Sequence, residues 1–142
     1  MRITGNINGL NKTILQEINN LYNDQIQEDV IIEEELAKKL ADLTARIGRE
    51  IAVYVNRRGQ ILAIGIGDEH TVALEEINLR RGEARLSGVR CIHTHPSGNG
   101  MLSDVDIAAL QLLKFDAMVA IGVDVDGNVA SIGFAWGEVL GS

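Results

Sequence analysis

The side chains with the most chemical potential lie in fourteen consecutive residues that begin with His93 and end with Asp106. His93 and His95 are separated by one residue at the end of an apolar run, and a loop rich in turn-forming residues follows them. Ser103 and Asp106 then begin an apolar segment with the spacing Ser-x-x-Asp. Two imidazole nitrogens and one carboxylate oxygen can bind a divalent metal ion and leave a fourth position for water, as in catalytic zinc sites.

The elements predicted around these residues bring their side chains together. Alternate residues of a strand point to the same face, so His93 and His95 point the same way, and Cys91 shares their face. The loop after Pro96 contains two glycines and can reverse the chain within a few residues. With Ser103 as the N-cap, Asp106 is the third residue of the helix, and its carboxylate points back toward the end of the strand.

The same residues also allow simpler interpretations. Ser-x-x-Asp before an apolar helix is a capping sequence that needs no metal ion. Two histidines near a strand end can be polar residues at the rim of a sheet. Cys91, inside an apolar strand, is typical of a small core residue. The ordered combination of His-x-His, a loop with proline and glycine, and Ser-x-x-Asp nevertheless favours a metal site.

A hydrolytic site also needs a base near the attacking water. Glu50 begins an apolar strand, from which it can face the metal site across the sheet. Spacing alone does not separate it from four other carboxylates, which are Glu69, Glu75, Glu76 and Glu83. Ser103 is placed to donate a hydrogen bond to a tetrahedral oxyanion.

The whole chain predicts one α/β (α+β) domain over residues 1–142, in which residues 1–48 are mainly helical and residues 49–140 form a sheet with the metal-site helix. Amphipathic helices are predicted over about 11–22 and from Glu33 to Ile47. Strands are predicted at 51–55, 61–66, 71–74, 89–95, 117–123 and 129–136, with a loop over 78–88 and an Asp126-Gly127 turn in the last hairpin. The helix over 103–114 is predicted to face inward with Val105, Ala108, Ala109, Leu112 and Leu113. Trp136 is predicted to be a core residue or an interface anchor.

Composition narrows the class of protein. The formal net charge of −7 argues against a nucleic-acid-binding domain, because phosphate contacts need a basic surface. The single cysteine allows no internal disulfide, which indicates a reducing cytoplasm. No apolar run is long enough to span a membrane, and the first residues lack the pattern of a signal peptide.

With Glu50 included, the residues His93-Thr-His95-Pro and Ser103-x-x-Asp106 resemble the JAMM (JAB1/MPN) metalloprotease motif. The resemblance implies that His93, His95 and Asp106 are zinc ligands, that Glu50 is the catalytic glutamate and that Ser103 stabilises the oxyanion. It also implies cleavage of peptide or isopeptide bonds. The implied fold is a cytidine-deaminase-like three-layer sandwich, with a mixed sheet flanked by helices.

A second resemblance covers most of the chain. Several segments are similar to the N-terminal domain of HflX-type ribosome-associated GTPases, namely residues 3–10, 35–50, 56–59, 88–95, 110–113 and 116–120. The phosphate-binding sequence Gly-x-x-x-x-Gly-Lys-Ser/Thr does not occur here, so the GTPase domain is absent from this chain. The resemblance implies two partners: a C-terminal GTPase domain of the same protein and, through it, the large ribosomal subunit. It leaves open an alternative function as a non-catalytic regulatory or interaction module.

Overall fold

A computed structural model describes residues 2–27, 30–67 and 88–137. The strands in these ranges are β1 (Ile3–Gly5), β2 (Ile51–Asn56), β3 (Ile61–Ile66), β4 (Val89–His95), β5 (Ala117–Val123) and β6 (Val129–Trp136). The helices are α1 (Lys12–Asn19), α2 (Glu34–Ile47) and α3 (Asp104–Leu113), and a short 3₁₀ helix spans Asn20–Asn23. The strands form one sheet in the order β1-β3-β2-β4-β5-β6.

The sheet is mixed, as predicted for the α/β class. Strand β1 runs parallel to β3, and β4 runs parallel to β5, whereas the other neighbouring pairs are antiparallel. Two parallel strands need a crossover connection between them. Helix α3 lies in the crossover from β4 to β5, and this connection carries the chain from the histidines to Asp106.

Alternate strand residues point to opposite sides of the sheet, and both sides carry apolar side chains. Helices therefore cover both faces. On one face, α1 and α2 bury Ile18 and Leu40 against a layer that includes Val53 and Ile92. On the other face, α3 buries Leu110 against side chains that include Tyr54, Cys91 and Met118. Strand β5 is therefore buried on both sides, which explains its uninterrupted apolar sequence.

The termini of α1 and α2 carry recognisable capping residues. The side chain of Asn11 caps α1 by accepting a hydrogen bond of 2.9 Å from the backbone N–H of Ile14. Helix α2 has two acidic residues in its first turn, where they interact favourably with the helix dipole. It ends at Gly48, which has a φ of 68° in the left-handed region that glycine adopts without strain.

The predicted inward face of α3 is wrong in part. Val105, Ala108 and Leu112 are exposed, and only Ala109 and Leu113 of the predicted set are partly buried. The fully buried positions are Asp106 and Leu110 instead. The helix is rotated about its axis relative to the prediction, because its capping carboxylate faces the sheet in place of an apolar side chain.

Other predictions have mixed outcomes. The predicted buried position of Cys91 is confirmed, whereas Trp136 is exposed and is no core residue. Strand β1 was not predicted, since three residues carry no periodic signal. The predicted strand at 71–74 and most of the loop at 78–88 lie outside the described residues. No helix in the described part of the chain is long and apolar enough to cross a membrane.

Candidate metal centre

Three predicted ligand atoms converge between the end of β4 and the start of α3. The Nε2 atoms of His93 and His95 lie 3.1 and 3.3 Å from Asp106 Oδ2, and 3.0 Å from each other. Ligands bound to one tetrahedral zinc ion at its usual bond lengths lie about 3.3 Å apart. The spacing of the donor atoms therefore fits a single small cation, and this cluster can hold a metal ion.

The N-terminal cap of α3 positions the carboxylate. Ser103 Oγ accepts a hydrogen bond of 3.1 Å from the backbone N–H of Asp106, and Asp106 Oδ2 accepts one of 3.0 Å from the backbone N–H of Ser103. This reciprocal pair is a capping box. The capping and metal-binding interpretations of Ser-x-x-Asp are therefore compatible, because the cap fixes the carboxylate that points at the histidines.

The loop after β4 orients His95. Its Nδ1 atom lies 2.8 Å from the backbone carbonyl oxygen of Asn99. A carbonyl only accepts hydrogen bonds, so Nδ1 donates its proton to Asn99 and Nε2 faces Asp106 and His93. Nε2 can therefore donate a proton to Asp106 or, without that proton, offer its lone pair to a metal ion. A metal-binding histidine usually makes this kind of contact through its second nitrogen.

The electrostatic environment raises the pKa of His95. The main cause is its hydrogen bond with Asp106, and partial burial opposes it. The contact with Asn99 and the negative charges of Asp106 and Glu50 act in the same direction as the main cause. The site therefore attracts positive charge at the His95 ring.

Access to the cluster is one-sided. His93 is fully buried and the Asp106 side chain is only 5% exposed, whereas that of His95 is 18% exposed. Solvent and any substrate therefore approach from the side of His95.

Glu50 lies beside this opening. It is half-buried and immediately precedes β2. Ala52 pairs with His93 in antiparallel register, and the same register continued by two residues brings Glu50 opposite His95 on the same face of the sheet. The negative charge of Glu50 also contributes to raising the pKa of His95. The four alternative glutamates, Glu69, Glu75, Glu76 and Glu83, lie outside the described residues.

Ser103 lies at the rim of the same site, where its residue is exposed. Its oxygen accepts the capping hydrogen bond from Asp106, so the hydroxyl hydrogen can be donated to another acceptor. The structure thus gathers all five predicted site residues at one end of β4.

The floor beneath the loop 96–100 was not predicted. A Cβ atom at Gly122 would lie 2.3 Å from the carbonyl oxygen of Gly98, and one at Gly133 would lie 2.1 Å from that of Gly100. Only glycine permits the loop to approach β5 and β6 this closely. Ser131 Oγ also donates a hydrogen bond of 3.1 Å to Gly98 O and accepts one of 2.8 Å from Gly100 N. The glycines inside these apolar strands were the sequence signal that could have indicated this close approach.

A buried pair of threonines holds the opposite face of β4. Thr94, between the two histidines, lies 2.7 Å from Thr44 of α2 through their Oγ1 atoms. The same Thr94 oxygen accepts a hydrogen bond of 2.9 Å from the backbone N–H of Ile51. The strand that carries the histidines is thereby tied to α2 and to the beginning of β2.

Comparison with protein-family models, curated proteins and solved structures finds no match to this chain.

Proposed function

We propose that the chain is a zinc-dependent hydrolase domain of the JAMM type, which acts on peptide, isopeptide or related amide bonds. The observation that carries the proposal is the convergence of His93 Nε2, His95 Nε2 and Asp106 Oδ2 on one point. Two imidazoles with one carboxylate suit zinc, which supplies Lewis acidity and lowers the pKa of bound water. The mixed sheet with helices on both faces supports a three-layer sandwich like that of cytidine deaminases.

The polypeptide supplies the proton transfers. Glu50 accepts a proton from the water that attacks the carbonyl carbon, and returns it to the amine nitrogen when the C–N bond breaks. Ser103 donates its hydroxyl hydrogen to the oxygen that becomes negative during the attack. Because the cluster is open on the side of His95, the scissile bond is placed between that residue and Glu50.

Two variants test the proposal together. We expect about one equivalent of zinc in purified protein by elemental analysis, and its loss in His95→Ala. Glu50→Gln should keep the zinc but lose hydrolysis of a panel of fluorogenic peptide and isopeptide substrates. Protein that folds normally without retaining any divalent metal, even after incubation with zinc, would contradict the proposed site. Zinc binding with full activity in Glu50→Gln would contradict only the role of the glutamate.

A second proposal concerns biological context. The segments similar to HflX proteins support a role in the cytoplasm as the N-terminal domain of an HflX-type GTP-binding protein, whose partners are its GTPase domain and the large ribosomal subunit. Exposed apolar side chains at Met101, Val105 and Leu112 support an interaction role. In a purely non-catalytic module, Glu50→Gln would leave the cellular role of the protein unchanged. Cofractionation of the protein with ribosomes in a cell lysate measures this role, and its absence would contradict the proposed ribosomal partner.

A further inference from the structure

An apolar strip lies exposed on the face of β6 that neighbours α2. Ile132, Phe134 and Trp136 are 44%, 53% and 63% exposed. They pair with residues of β5 whose side chains point toward α2, so all three lie on that face. Two of the five aromatic residues of the chain are therefore exposed side by side, and their rings are in edge-to-face contact at 6.3 Å. Such a patch is typical of a binding surface.

The strip continues into a groove between β6 and α2. The groove has a volume of about 720 Å³, and its apolar floor includes Ala37, Val129 and Ile132. Its rim carries four carboxylates and one ammonium group, from Glu33, Glu34, Asp42, Asp126 and Lys38. The surface thus combines an apolar floor with a net negative rim.

From this combination we infer that the surface binds an amphipathic helix of a partner protein, with an apolar face and basic flanks. The helix lies on β6 beside α2 and extends the helical layer over the last strand. Strand β6 spans about 24 Å from end to end, the length of a helix of about 15 residues. Apolar residues three and four positions apart on such a helix cover the strip, and its lysines or arginines face the carboxylates.

Other occupants fit the surface less well. A strand added to the edge of β6 would pair with its backbone but leave the strip on the sheet face uncovered. A second copy would bring a net charge of −7 to an acidic rim. Helix α3 of a second copy would also fit poorly, because it begins with acidic residues and has no basic residue in its last turn to face the carboxylates.

The test uses the full chain and a synthetic helical peptide of about 15 residues with leucine on one face and lysine on the other. Trp136 is the single tryptophan, so a blue shift of its fluorescence reports docking directly. Phe134→Ser should raise the Kd more than tenfold, and Ile132→Ser serves as a second variant of the strip. Leu112→Ser removes a still more exposed apolar side chain from the opposite face of the sheet and should leave the Kd unchanged.

Charge is tested with the same assay. A peptide with glutamate in place of lysine should bind at least tenfold more weakly, and Glu34→Gln with Asp126→Asn should weaken binding of the lysine peptide. Equal binding of both peptides, or unchanged binding in both strip variants, would overturn the inference. A wild-type dimer in analytical ultracentrifugation that Phe134→Ser dissociates would also overturn it, since a second copy would then cover the strip.

Discussion

The most direct prediction concerns Asp106→Asn, with Asp104→Asn as the matched control. Both carboxylates lie in the first turn of α3, but only Asp106 points at the histidines. An amide oxygen can still accept the capping hydrogen bond from Ser103, so the metal-free variant should stay folded. It lacks the anionic ligand, however, and should lose most of its affinity for zinc.

The magnitude follows from linkage between binding and folding. Zinc at 100 times its Kd stabilises the folded protein by about 2.7 kcal/mol. For a chain of this size, that free energy raises the midpoint of thermal unfolding by about 5–10 °C. If Asp106→Asn weakens binding at least 100-fold, the same zinc concentration should raise its midpoint by less than about 2 °C.

The assay is differential scanning calorimetry of protein treated with a chelator, before and after zinc is added. The wild type and Asp104→Asn should show the full zinc-dependent rise, because Asp104 is exposed. An equal rise in Asp106→Asn would refute the assignment of Asp106 as a ligand. No rise in the wild type would refute the site as a whole.

Three further predictions concern the loop of the site, an ion pair at the opposite end of the sheet, and the packing of α3. Ser131→Ala removes both hydrogen bonds to the loop 96–100 and should weaken zinc binding about 10–100-fold by calorimetric titration; unchanged affinity would show that the loop does not depend on it. Partial burial raises the pKa of Asp116, but hydrogen bonds from Arg57 and Gly88 outweigh it and lower that pKa below its usual 3.8. The ionised Asp116 carboxylate therefore stabilises the folded protein above about pH 3.8, and this stabilisation is lost as the pH falls through the lowered pKa. In urea unfolding at neutral pH, Asp116→Asn should be less stable than the wild type by up to about 1 kcal/mol. The difference should vanish in acid. Leu110→Ala should lower the free energy of unfolding by about 2–5 kcal/mol in the same assay, and Leu112→Ala should lower it by less than about 0.5 kcal/mol. The reverse order would contradict the observed orientation of α3.

The convergence of the candidate ligand atoms was predictable because their geometry is local. Strand alternation and the N-cap fix the directions of His93, His95 and Asp106 within fourteen residues. The face that α3 turns toward the sheet was not predictable, because apolar periodicity favours burial of Val105 and Leu112 over burial of a carboxylate. The burial of that carboxylate against the histidines of β4 is a tertiary contact, which helical periodicity does not register.

The close packing of the loop 96–100 on β5 and β6 was not predictable for a related reason. Gly122 and Gly133 lie on different strands, and their role depends on which loop packs above them. The opposed positions of Glu50 and His95 likewise follow from the pairing of β2 with β4, two strands far apart in the sequence. Register between distant strands is set by the assembled sheet and carries no local signal.

The capping box of α3 has a consequence for how the cluster would bind an ion. The reciprocal hydrogen bonds between the backbone N–H groups and side-chain oxygens of Ser103 and Asp106, together with the contact of His95 with Asn99, hold the donor atoms of Asp106 and His95 in place with the polypeptide alone. Ordering of the ligands is then completed during folding, so little conformational entropy remains to be lost when an ion arrives. Such a preorganised site discriminates among ions by size and preferred coordination, since its donor atoms cannot move apart to suit a larger cation without breaking the start of the helix.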